Sequence, residues 1–220
     1  MLWKALTITL ETMLYWEIYA AAAIYLILAF GPVLLFTSFG RSVGAGLTLL
    51  IQPFFHAIGI MVFVTLVTPI ALGLSDDAAW NLPWKFVSEA PWDVTKYGLQ
   101  LIVVSVAIAF FPILGGLPSF NSLVLGIFAT KMVFTLAGVE GISRSDLIPS
   151  FGVGFGILVI GAAVSTIGMI LAAMIIPFIA AIFGRSAEEV SSLITFPVVA
   201  ALGFAPLLVY LSWIRLSLSY

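Results

Sequence analysis

The feature that most restricts this chain is the spacing of its charges. Five long stretches carry no Asp, Glu, Lys or Arg at all: Ile18–Gly40, Ser42–Ser75, Tyr97–Thr130, Leu147–Gly184 and Val190–Ile214. About 20 apolar residues cross the roughly 30 Å of hydrocarbon in a bilayer as a helix. Every one of these runs reaches that length. Over all 220 residues, 63% are hydrophobic and 8% charged, with a mean hydropathy of +1.25. A soluble domain carries about 25% charged residues, so lipid is the expected solvent here. Backbone polar groups in hydrocarbon must be paired within the segment, which selects helices.

The third run is interrupted by Pro112, Gly115, Gly116 and Pro118, a turn-forming cluster. Splitting it there gives an all-α, polytopic integral membrane protein of about six transmembrane helices. The expected spans are 18–38, 47–73, 98–114, 120–139, 152–182 and 191–214, several of them kinked at internal prolines. A five-span alternative makes the Pro112–Pro118 region re-entrant. The chain reads as one domain, 1–220. Residues 1–17 are expected to form an interfacial helix with Leu2, Trp3, Leu6, Leu10, Met13 and Leu14 roughly on one side, or else to begin the first span. Residues 75–98 hold Trp80, Trp84 and Trp92 with Pro83 and Pro91, and read as an amphipathic loop lying on the membrane.

Six spans put both termini on one side. Lys4, Lys85, Lys96, Arg144 and Arg215 fall on that side, against Arg41 and Arg185 on the other. The positive-inside rule then places both termini in the cytoplasm, as expected for a cytoplasmic or inner membrane.

A short repeat overlies this pattern. Phe39-Gly40-Arg41-Ser42 recurs 144 positions later as Phe183-Gly184-Arg185-Ser186. The same offset carries Pro53 onto Pro197, Ala57 onto Ala201 and Gly59 onto Gly203. One reading is a parallel hairpin repeat, 18–73 and 162–214, with Arg41 and Arg185 holding lipid headgroups at the turns. The other is coincidence in a chain drawn from few residue types.

Candidate site residues are the polar groups inside apolar runs. Lys131 falls within the fourth expected span, where an ammonium costs about 2.5–3.5 kcal/mol on insertion scales. It either binds an anionic group or a partner subunit, or snorkels its stem toward the headgroups. Glu17 is its plausible internal partner. Gln52 and His56 are one turn apart on a common helix face. They either line a cavity or hydrogen-bond to a neighbouring helix. Gly152 with Gly156, and Gly161 with Ser165, form small-xxx-small pairs. They make the fifth span the candidate for a central packing element or a subunit interface.

Other chemistry is disfavoured. There is no cysteine, so thiol nucleophiles and thiolate metal sites are out, and one histidine cannot supply a His-rich metal site. A net charge of −2 argues against nucleic acid as a partner. No phosphate-binding Gly-rich loop, Gly-x-Ser-x-Gly elbow or His-Glu-x-x-His helix is present. The expectation is therefore a non-catalytic membrane protein without a cofactor, partnered by lipid and by other membrane subunits or copies of itself. It is expected either to serve a transport or anchoring assembly, or to act alone as a small homo-oligomeric transporter or channel.

Overall fold

The computed structural model of the protein describes residues 1–37, 41–72, 88–89, 91–109, 118–136, 147–182 and 187–218. Among them the chain forms eight helices and no strand: α1 (Leu2–Thr12), α2 (Trp16–Thr37), α3 (Arg41–Ala71), α4 (Pro91–Ala109), α5 (Pro118–Leu136), α6 (Phe151–Ile182), α7 (Ala187–Gly203) and α8 (Ala205–Leu218). The Arg185 turn, Phe39, Gly40, the Pro112–Gly116 turn and most of the Trp-rich loop, with Trp80 and Trp84, lie outside the described residues. Arg41 is the first residue of α3, and its side chain also lies outside that part.

Among the described residues, two helices are long and apolar enough to cross a membrane alone, over Ile51–Ala71 and Phe151–Ile179. Two bent pairs, α1 with α2 and α7 with α8, pass the same test jointly. The all-helical, membrane-compatible architecture expected from the charge-free runs is present. Several boundaries move. Pro91 opens α4, which lacks a use for an amide N–H in its first turn. Residues 91–98, expected in the interfacial loop, are therefore the first two turns of a helix.

The prolines expected within the spans are found within helices. Pro32, Pro53, Pro69, Pro177 and Pro197 all lie inside continuous helices. The break in the last hydrophobic run comes at Phe204, where α7 and α8 meet at 50°. Pro206 has no N–H for the carbonyl of Leu202, and its ring crowds that carbonyl, so the helix cannot run straight through. The Phe204 amide bridges back to the carbonyls of Ala200 and Ala201 at 3.3 and 3.1 Å, and α8 restarts with Leu208 N–H donating to the Phe204 carbonyl at 3.0 Å.

The other corner separates α1 from α2 at 80°. Leu14 and Tyr15 donate to the carbonyls of Glu11 and Thr12, tightening the last turn of α1. The Tyr19 hydroxyl donates to the carbonyl of Met13 at 2.9 Å, satisfying a group that the turn leaves open. Trp16 and Glu17, expected at the end of the interfacial segment, are thus the first turn of α2.

The core centres on α3 and α8. Helix α3 touches α2, α4, α5 and α8, and its most apolar window is 67% buried. In α8 every side chain from Leu207 to Ser212 is fully buried. An apolar helix without a polar face belongs inside a bundle. Helix α6, which the glycine pairs nominated for a central packing element or a subunit interface, lies at the periphery of this bundle. It packs on α7 and α8, and only 17% of its apolar window is covered.

In lipid, helices gain little from hiding apolar surface and associate through close packing. Missing Cβ atoms supply that closeness here. Gly126 receives the tip of Leu207, Gly168 the tip of Leu202, and Gly161 the ring and backbone of Pro206.

Candidate functional site

Tyr25 is the hub around which the interior polar and aromatic groups gather. It lies on the buried stripe of α2 formed by Ile18, Ala21, Ala22 and Ala29. Its ring lies against α3 because Gly59 offers no side chain; a Cβ there would come within 2.9 Å of Tyr25 Cδ2. That approach brings the Tyr25 hydroxyl to 2.8 Å from His56 Nδ1. The imidazole tautomer decides which of the two donates. The same ring meets Phe204 edge-on at 4.7 Å, and Phe204 stacks on Phe63 at 4.0 Å and 19°. Phe30 adds a further edge contact at 6.4 Å. The joint between α7 and α8 is therefore clasped between aromatic residues of α2 and α3.

His56 is half-buried, as is Gln52 one turn earlier on α3. They make a polar stripe at the middle of the 31-residue α3, which Tyr25 of α2 meets at His56. Chemically, this arrangement holds an imidazole in register between two helices, with hydrogen-bonding capacity left on Gln52. The expected repeat mate of His56 is Ala200, so this device belongs to the first hairpin alone.

The remaining nominated residues are dispersed. Glu17 stands in the first turn of α2 with one carboxylate oxygen buried and no hydrogen-bond partner among the described residues. Lys131 is half-buried on α5 and has an interaction partner within the fold. Gly161 and Ser165 are buried where α6 meets α8, and Gly156 receives Leu2 of α1. Gly152 is exposed, with nothing within 4 Å of a Cβ placed on it. Among the described residues, no three His, Asp or Glu side chains come together as a metal site would need.

Most interior hydroxyls are engaged in holding helices. Thr9, Thr12, Thr65 and Thr130 each donate to the carbonyl four residues earlier. Tyr210 donates to the carbonyl of Leu147 at 2.8 Å, fixing the chain just before α6. Thr9 and Ser212 share a buried hydrogen bond of 3.0 Å, joining α1 to α8. Sequence reasoning missed Tyr25, Phe204 and this Thr9–Ser212 pair. Only Thr9 left a local trace: Ala5, Thr9 and Thr12 recur at small-residue spacings of four and seven across Leu2–Thr12.

The Tyr25–His56 bond has a measurable worth. Tyr25→Phe and His56→Ala, made singly and together, should show a coupling of about 0.6 kcal/mol and at most about 1.7, the span found for hydrogen bonds between membrane helices. Reversible unfolding in detergent micelles measures it. Strict additivity would mean that the bond contributes nothing to the bundle.

The chain matches no known family, no curated protein and no solved structure.

Proposed function

We propose that this protein is a non-catalytic, membrane-embedded subunit of a larger membrane assembly with a transport or anchoring role. The observation that carries this reading is α6. It runs 32 residues without one charged side chain, which at 1.5 Å per residue is about 48 Å. Hydrocarbon is about 30 Å thick, and helix tilts rarely pass about 40°. Even at that tilt the helix spans roughly 37 Å, longer than lipid tails alone can cover. Its outward side carries Phe151, Phe155, Ile170, Met174, Phe178 and Ile182, all exposed, and Leu193 and Phe196 of α7 extend the apolar wall. A neighbouring subunit is the natural cover for the surplus. Thr9, Thr12, Thr65 and Thr130, which bond helix carbonyls, and Tyr210, which fixes the chain before α6, are consistent with the same reading.

Purification in mild detergent followed by mass spectrometry tests the proposal. Distinct partner chains should copurify in fixed ratio; a chain that runs alone, or only with copies of itself, overturns it. The second reading is a small stand-alone transporter or channel working as a homo-oligomer. It is favoured by the half-buried Gln52–His56 stripe at mid-helix, where transporters place their sites.

The proposed topology is six crossings with both termini in the cytoplasm, α7 and α8 together forming the last. Since the chain has no cysteine, Ser42→Cys and Ser88→Cys report cleanly. An impermeant thiol reagent should reach them from opposite sides of the membrane, and labelling from the same side would exclude this topology.

A further inference from the structure

The first helix has three edges of different chemistry. At about 100° per residue, Ala5, Thr9 and Thr12 share one edge, and all three are buried. Trp3 and Leu10 share a second, roughly 150° around the helix, and stand 77% and 51% exposed, while Leu14 in the turn after α1 is 85% exposed. Lys4, Glu11 and Tyr15 form the third, between the other two, and are exposed as well. The apolar edge of the expected interfacial helix is turned outward, and the small hydroxylated edge is turned in.

The inward edge is firmly seated. Thr9 hydrogen-bonds to Ser212, and the tip of Leu2 rests in the space left by Gly156. The 80° corner sets α1 nearly perpendicular to α2. At 22 residues, α2 is about 33 Å long, a length that by itself matches the hydrocarbon. A helix perpendicular to a crossing helix lies in the plane of the membrane. Around its axis, protein, acyl chains and water then meet in the order that its three edges present.

We propose that α1 is a lipid-boundary helix. Its Trp3–Leu10–Leu14 edge is seated among the upper acyl chains, and its Lys4–Glu11 edge lies in the aqueous layer. Its third edge clamps α8 and the start of α6. The occupant of the exposed apolar edge is the bilayer's own headgroup–acyl boundary, which suits indole rings and leucines together. The proposal rests on the membrane-embedded reading above and adds the orientation of α1 and its depth.

Single-cysteine variants of the full chain test it: Lys4→Cys, Leu10→Cys, Glu11→Cys and Leu14→Cys, with Ile170→Cys on the exposed face of α6 as the in-lipid control. Each is spin-labelled in nanodiscs of zwitterionic and anionic phospholipid and exposed to oxygen, which partitions into lipid, and to a nickel chelate, which stays in water. The oxygen-to-nickel accessibility ratio should be several-fold higher at Leu10 and Leu14 than at Lys4 and Glu11, and highest at Ile170. Equal ratios along α1 would overturn the proposal. So would labels at Leu10 and Leu14 that neither reagent reaches, since a second copy or another protein would then cover that edge. A low ratio at Ile170 itself would instead refute the membrane reading beneath it.

Discussion

Gly161→Ala should loosen the seam between α6 and α8 and lower stability by about 1–3 kcal/mol, the usual cost of overpacking. A Cβ at this position would lie 2.6 Å from the backbone nitrogen of Pro206 and 2.7 Å from its Cγ. A flexible tip could rotate aside, as Leu202 can at Gly168, but a backbone nitrogen and a proline ring cannot. The obstacle also sits in the first turn of α8, whose side chains fill the core. Moving it disturbs the contacts of α8 with α3, α5 and α1 together. Gly161→Ile should therefore yield little folded protein. Gly152→Ala is the matched control. It has open space around it, and alanine gains about 1 kcal/mol in helix propensity over glycine, so stability should hold or rise. Thermal unfolding in mild detergent, read by the loss of the monodisperse peak, separates the three variants. Equal midpoints for Gly161→Ala and Gly152→Ala would show that the two helices can part freely at this point.

Phe204→Ala should produce the largest loss from a single core truncation, about 3 kcal/mol, toward the lower end of the range for aromatic-to-alanine changes in water-soluble cores. The lower end applies because the bilayer supplies little of the transfer term and leaves chiefly the lost packing. Phe204 touches Phe63 face to face and Tyr25 edge to face, and it is the one residue between α7 and α8. Its removal leaves a cavity at the bend, where the backbone is already short of hydrogen bonds. Phe204→Leu restores much of the volume without the ring geometry, and should recover more than half of the loss. An unfolding midpoint for Phe204→Ala within about 2 °C of the parent would mean that the stack does not hold the joint, since 1 kcal/mol moves a chain of this size by about 2–4 °C.

Much of the architecture was legible because hydrocarbon imposes a simple rule: long runs without charge become helices. That rule located α2, α3 and α6 within a few residues, apart from the earlier start of α3 at Arg41. It failed where local chemistry competes with length. Pro53 and Pro197 lie inside helices as their place in the runs implied, but the 50° bend in the last run falls beside Gly203 and Pro206, which the spacing did not mark as a break. Periodicity picked out the apolar side of α1 but not the small hydroxylated edge of Ala5, Thr9 and Thr12 that is buried against the bundle. Glycine content marked α6 as a packing helix but could not say how much of it packs. Gly161 and Ser165 are covered and Gly152 is not. The polar stripe at Gln52 and His56 was readable from its spacing. Its partner Tyr25 was not, because the pairing joins residues 31 positions apart on different helices.

The tethering of Thr9 to Ser212 bears on biogenesis. The ribosome makes α1 long before α8, since Thr9 and Ser212 stand 203 positions apart. A nascent intermediate holding α1 to α7 therefore contains a vacant slot where Leu207–Leu211 will sit, and an amphipathic strip with no mate. Lipid or insertion machinery has to shield both until α8 arrives, so the seam between α1 and α8 closes only after α8 has been made.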